Sequence, residues 1–93
     1  MIESFKDKQT QELFDTGTSK SFPPDVTKRA LRKMDMINSA CVIQDLQTPP
    51  SNRLHKLSGK RKDQYSISVN SKWRICFEFN DGNAKNVAMC DYH

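Results

Sequence analysis

Two periods divide this chain. Up to Leu46 the apolar residues recur at helical spacing, and beyond Pro49-Pro50 they alternate. Residues 2–5 open with a short apolar–polar alternation that fits a first or edge strand. Residues 8–16 read as a short helix with Leu13 and Phe14 inward, followed by Gly17 at a position suited to a left-handed cap. After a loop, Pro23-Pro24-Asp25 is a helix start. Val26, Ala30, Met34, Ile37 and Cys41 then recur three or four residues apart, with Lys28, Arg29, Arg32 and Lys33 on the other side. That spacing predicts an amphipathic helix to about residue 41. A further helical turn over 42–46 ends before the two prolines.

The alternating half begins with a short strand at residues 53–57. Tyr65, Ile67 and Val69 alternate with Ser66 and Ser68, and Trp73, Ile75, Phe77 and Phe79 alternate with Arg74, Cys76 and Glu78. Asn70-Ser71 and Asp81-Gly82 are two-residue hairpin signals. Residues 84–92 close the sheet with Val87 and Met89 inward. The expected fold is α+β, a small antiparallel-dominated sheet with two to three helices packed on one face, in a single domain spanning residues 1–93. The aromatic and branched residues must face the helices. Ser66, Ser68, Arg74, Cys76 and Glu78 form an opposite face too polar for a second core. Arg74, mid-strand on that face, is a candidate anion site or a cross-strand partner for a carboxylate.

Charge sharpens this picture. Residues 1–52 balance seven basic against seven acidic side chains, so the net +4 belongs to residues 53–93, with eight basic against four acidic. No acid lies between Leu46 and Lys62, while Arg53, His55, Lys56, Lys60, Arg61 and Lys62 do. Such a patch suits a phosphate backbone or serves as a solvated surface. No apolar run is long enough to span a membrane, and the charged N-terminus lacks a signal-peptide core, so a soluble, cytoplasmic chain is expected. Cys41, Cys76 and Cys90 include no C-x-x-C pair. They are expected to be buried thiols, with neither a metal site nor a disulfide framework.

The candidate chemistry lies at the chain's end. Asp91-Tyr92-His93 offers a carboxylate, a phenol and an imidazole, and His55 lies in the basic stretch. RNA scission needs a base for the 2′-OH proton, an acid for the leaving 5′ oxygen and a cation for the transition-state charge. Two imidazoles and Arg74 are suited to those roles, although two histidines alone are weak evidence.

Several segments together resemble the HigB branch of the RelE-type toxins: Met1-Ile2-x-Ser4-Phe5, Arg53-Leu54-His55-Lys56-Leu57-Ser58-Gly59, Tyr65-Ser66-Ile67, Trp73-Arg74-Ile75-Cys76-Phe77 and the terminal Asp91-Tyr92-His93. The resemblance covers essentially the whole chain. It implies a toxin of a bacterial toxin–antitoxin pair that enters the ribosomal A site and cleaves mRNA by 2′-OH attack, without metal or other cofactor. It assigns His55, Asp91, Tyr92 and His93 to the active site and Arg74 to the scissile phosphate. Arg53, Lys56, Lys60, Arg61 and Lys62 are then expected to hold RNA backbone. Ser58 departs from the pattern, since many relatives carry a lysine there. The implied partner is a HigA-like helix-turn-helix antitoxin, through which alone promoter DNA would be bound. The alternative is a non-catalytic toxin on the same fold that inhibits a protein target such as DNA gyrase. A plain RNA-binding module is a third reading.

Overall fold

The computed structural model describes residues 1–57 and 63–91. Helix α1 (Lys8–Thr16) begins where the Asp7 carboxylate accepts the Thr10 N–H at 2.8 Å, which satisfies one of the donors a helix start leaves open. It stops at Gly17, whose φ of 79° admits the left-handed cap that returns its N–H to the Leu13 carbonyl. Helix α2 (Pro24–Ser39) starts on the two prolines and buries Val26, Ala30, Met34 and Ile37. The stripe stops there. Ala40 leaves the helix in an extended conformation, so Cys41 falls outside the helix and is exposed rather than part of the buried face. Two short 3-10 turns, Ile43–Gln47 and Pro50–Asn52, lead to the sheet.

Strands β1 (His55–Lys56), β2 (Gln64–Ser68), β3 (Trp73–Asn80) and β4 (Asn83–Asp91) pair antiparallel in chain order. The β3–β4 turn is Asp81-Gly82, both at positive φ, the mirror-image geometry that matches strand twist. The β2–β3 connection is longer than a two-residue turn: Val69 and Asn70 donate to the Trp73 carbonyl, and the Asn70 side chain accepts the N–H groups of Lys72 and Trp73. Residues 2–5 lie parallel to β4 through bridges at Ile2–Ala84 and Phe5–Val87. The sheet is therefore antiparallel with one parallel edge, as the alternation at the N-terminus suggests.

The helices cover one face. Leu13, Met34 and Ile37 meet Ile67, Ile75, Phe77 and Val87 in a common core. Trp73 closes one end against Phe22, with ring centroids 5.4 Å apart and nearly perpendicular. Strand β4 keeps its inner face despite an irregular register. Cys76 opposes Ala88 while Glu78 opposes Lys85, so β4 carries one extra residue there. Asn86, at φ 53°, absorbs it, and the inward set becomes Ala84, Val87 and Met89. Thr10 ties α1 to this strand, its hydroxyl accepting the buried Met89 N–H at 3.0 Å.

Candidate RNA-cleaving face

The open side of the sheet is set by register. His55 opposes Ser66, and Ser66 opposes Cys76; Ser68 opposes Arg74, and Arg74 opposes Cys90. Directly opposed residues point the same way, so all six share the face turned from the helices. Strand β1 lies ~10 Å from β3, two strand spacings away, yet Arg74 bridges the gap. Its Nη2 donates to the Arg53 carbonyl at 2.9 Å. Arg53 presents that carbonyl because it caps the second 3-10 turn in the left-handed region, at φ 46°. The guanidinium is thereby held two residues from the exposed His55, so a cation and an imidazole flank one stretch of the face.

Farther along the same face lies a cavity of about 380 Å³, lined by Lys6, Leu57, Gln64, Cys76, Glu78 and Cys90 among others. The face is recessed, not flat. Its two thiols interact: Cys76 stays protonated far above the usual thiol range because it hydrogen-bonds to Cys90 and is partly buried. The same hydrogen bond, helped by Lys6, brings Cys90 down to about 7 against the opposing pull of burial and Asp7. Both thiols are half-buried and free, so only part of the expected burial is observed. Glu78, ~13 Å along β3 from Arg74 at strand rise, bonds to the Asn86 side chain.

A second recess, of about 330 Å³, lies where α2 meets the chain before β1 and is lined by Arg29, Arg32, Lys33, Ser51 and Ser68 among others. Lys33 donates to Asn52. Its pKa is lowered first by burial and then by the neighbouring Arg32 and Arg29 charges.

Of the residues singled out in the sequence, His55, Arg53 and Arg74 converge. Lys56 is exposed but opposes Tyr65, on the other side from His55. Asp91 opposes Trp73 in register and sits 3.8 Å from the Lys72 ammonium, on the alternate side from Cys90. Tyr92, His93, Lys60, Arg61 and Lys62 lie outside the described residues. Among the described residues no three His, Cys, Asp or Glu side chains gather as a metal-ligand set, and no helix is long and apolar enough to cross a membrane. Sequence reasoning missed Lys6, which carries no signal beyond following the N-terminal strand segment, and the Cys76–Cys90 contact, which requires the register.

Comparison with known proteins gives this face its context. Residues 3–93 match the HigB-like toxin family, described as the RelE-like toxin of the type II toxin-antitoxin system HigB. The chain belongs to that family. A HigB-like toxin has an antitoxin as its partner. Similar relatives include Endoribonuclease HigB of Proteus vulgaris, 36% identical over all of both chains. Toxin HigB-1 of Vibrio cholerae is 33% identical, covering 96% of this chain and 95% of its own. The YoeB-YefM complex of Staphylococcus aureus contains a chain of the same fold, with a TM-score of 0.62 at 17% identity over 100% of this chain and 98% of that one.

Proposed function

We propose that this HigB-like toxin is a ribosome-dependent endoribonuclease that cuts mRNA in the A site. The observation that carries the proposal is the Arg74 guanidinium crossing β2 to the Arg53 carbonyl beside His55. That bond fixes the guanidinium on the side of the sheet that carries His55, and a planar fork of donors suits a phosphate. The P. vulgaris relative's designation as an endoribonuclease supports the same reading.

In this mechanism the substrate's 2′-OH attacks the adjacent phosphorus, forming the new P–O bond as the bond to the 5′ oxygen breaks. Arg74 stabilises the charge gathering on the phosphoryl oxygens. His55 and His93 handle the two protons, one removed from the 2′-OH and one given to the 5′ oxygen. Asp91 and Tyr92 orient the imidazole or the substrate. Arg53, Lys56, Lys60, Arg61 and Lys62 hold ribosomal and messenger backbone, and the recess at Arg29, Arg32 and Lys33 extends the basic surface. The proton transfers and the charge stabilisation are supplied by side chains, so no metal is assigned a step. The neutralising partner is a HigA-like helix-turn-helix antitoxin, which brings the promoter DNA contacts, and the complex acts in the cytoplasm.

The test maps new 5′ ends on a defined mRNA with and without ribosomes. Ends should appear only with ribosomes. Arg74→Ala should slow their formation by about 10²–10³-fold, and His55→Ala and His93→Ala each by about 10²-fold or more. Growth arrest without new ends would instead favour a toxin that occupies a protein target.

A further inference from the structure

Cys76 and Cys90 have no part in the cleavage chemistry, yet they meet on the face where it is placed. Cys90 opposes Arg74 across β3–β4, and Cys76 is two residues farther along β3. Both line the 380 Å³ cavity together with Lys6. The Cys90 Sγ also lies 3.7 Å from the Ala88 carbonyl. A thiolate in this recess would have the Cys76 thiol and the Lys6 ammonium among the groups lining the same space.

We propose that Cys90 is a thiol-modification site for small disulfides, with Cys76 as the positioning residue that donates a hydrogen bond to the Cys90 thiolate. The Cys90 proton is first lost to solvent. The thiolate then attacks one sulfur of the small disulfide, the old S–S bond breaks as the new one forms, and the other half leaves as a thiolate that takes up a proton. The protein thiol and the disulfide thus become a mixed disulfide and a free small thiol, with no further oxidant required. The neighbouring Cys76 thiol and the Lys6 charge lower the Cys90 pKa and so favour its reactive thiolate form. Cys76 stays a thiol and is not the nucleophile. The adduct fills the recess beside Arg74 and obstructs the RNA, a consequence that rests on the function proposed above.

The experiment uses the purified full chain, reduced, then incubated with oxidised glutathione at neutral pH and followed by intact mass and peptide mapping. Exposed Cys41 serves as the internal reference. Modification should map first to Cys90. Cys76→Ala should slow it at least ~5-fold while leaving the Cys41 rate unchanged, which separates loss of the hydrogen bond from loss of fold. Reaction at Cys76 first, at Cys41 alone, or at an unchanged Cys90 rate in Cys76→Ala would overturn the assignment. In the ribosome assay the adduct should lose cleavage and dithiothreitol should restore it, whereas Cys90→Ala, whatever its own rate, should be indifferent to oxidised glutathione. Adduct formation at Cys90 with full cleavage would overturn the blocking role. If untreated protein cuts nothing, the nuclease reading fails while the mass result still decides the modification site.

Discussion

Asn52 is a small residue with a large share of the local structure. Fully buried, it donates its side-chain amide to the Leu46 carbonyl at 3.1 Å and the Thr48 carbonyl at 3.4 Å, and its oxygen accepts from Lys33. Asn52→Leu leaves those groups without their amide, so it should destabilise the protein by about 1–3 kcal/mol in urea unfolding. Arg74→Lys tests the opposite case. A lysine keeps the charge but not the fork that reaches both Arg53 and a phosphate. Cleavage should fall about 10–100-fold with the unfolding midpoint nearly unchanged. The two residues differ in legibility for a physical reason. An arginine amid alternating apolar residues stands out in one dimension. A buried asparagine after two prolines does not, because its partners on α2 and in the 3-10 turn come together only in space.

Elements were legible where a single local rule sets them. The α1 cap at Gly17, the start of α2 at the prolines and the Asp81-Gly82 turn each depend on a few neighbouring residues. The end of α2 and the course of β4 do not. Cys41 continues the helical stripe in sequence but lies beyond Ala40, where Asp45 accepts the N–H groups of Cys41 and Val42 at 2.9 and 3.2 Å and organises the next turn. Those bonds lower the Asp45 pKa below its ordinary 3.8. The carboxylate's contribution to stability is therefore complete above that value and lost as pH falls through the lower folded-state value. The Tm advantage of wild type over Asp45→Asn should be constant through neutral pH and shrink below about pH 4. In β4, Val87 and Met89 face inward as their alternation suggests, but alternation alone would not put Ala84 on their side; one extra residue does, and Asn86 tolerates the positive φ this requires. Asn86→Val should cost about 1–2 kcal/mol in thermal unfolding, and Asn86→Gly less.

At the scale of the molecule, helices on one face leave the other free for chemistry, and the division of polar and apolar strand residues made that layout legible. The outer side of β4 was less so. Met1 and Ser4 carbonyls accept from Ala84 and Val87, and the N–H groups of Glu3 and Lys6 donate to Ala84 and Val87 in return. Deleting residues 1–5 removes three of these four bonds, worth about 1 kcal/mol each, along with the Phe5 ring that packs, tilted, 5.6 Å from Phe14. The shortened chain should unfold at lower urea and self-associate through its bared strand, as size-exclusion elution would show.

The hydroxyl of Thr10 finishes what the N-terminal segment begins. It takes the Met89 N–H just beyond the last of those backbone bonds, so β4 is occupied along its outer margin by a peptide segment and then by a side chain. Among the described residues, an incoming peptide that extends this sheet by backbone pairing finds its open margin at β1, next to His55. Under the proposed function, an inhibitor that binds by adding a strand would therefore compete directly with the messenger, whereas one seated on the helices would have to act at a distance or by bulk.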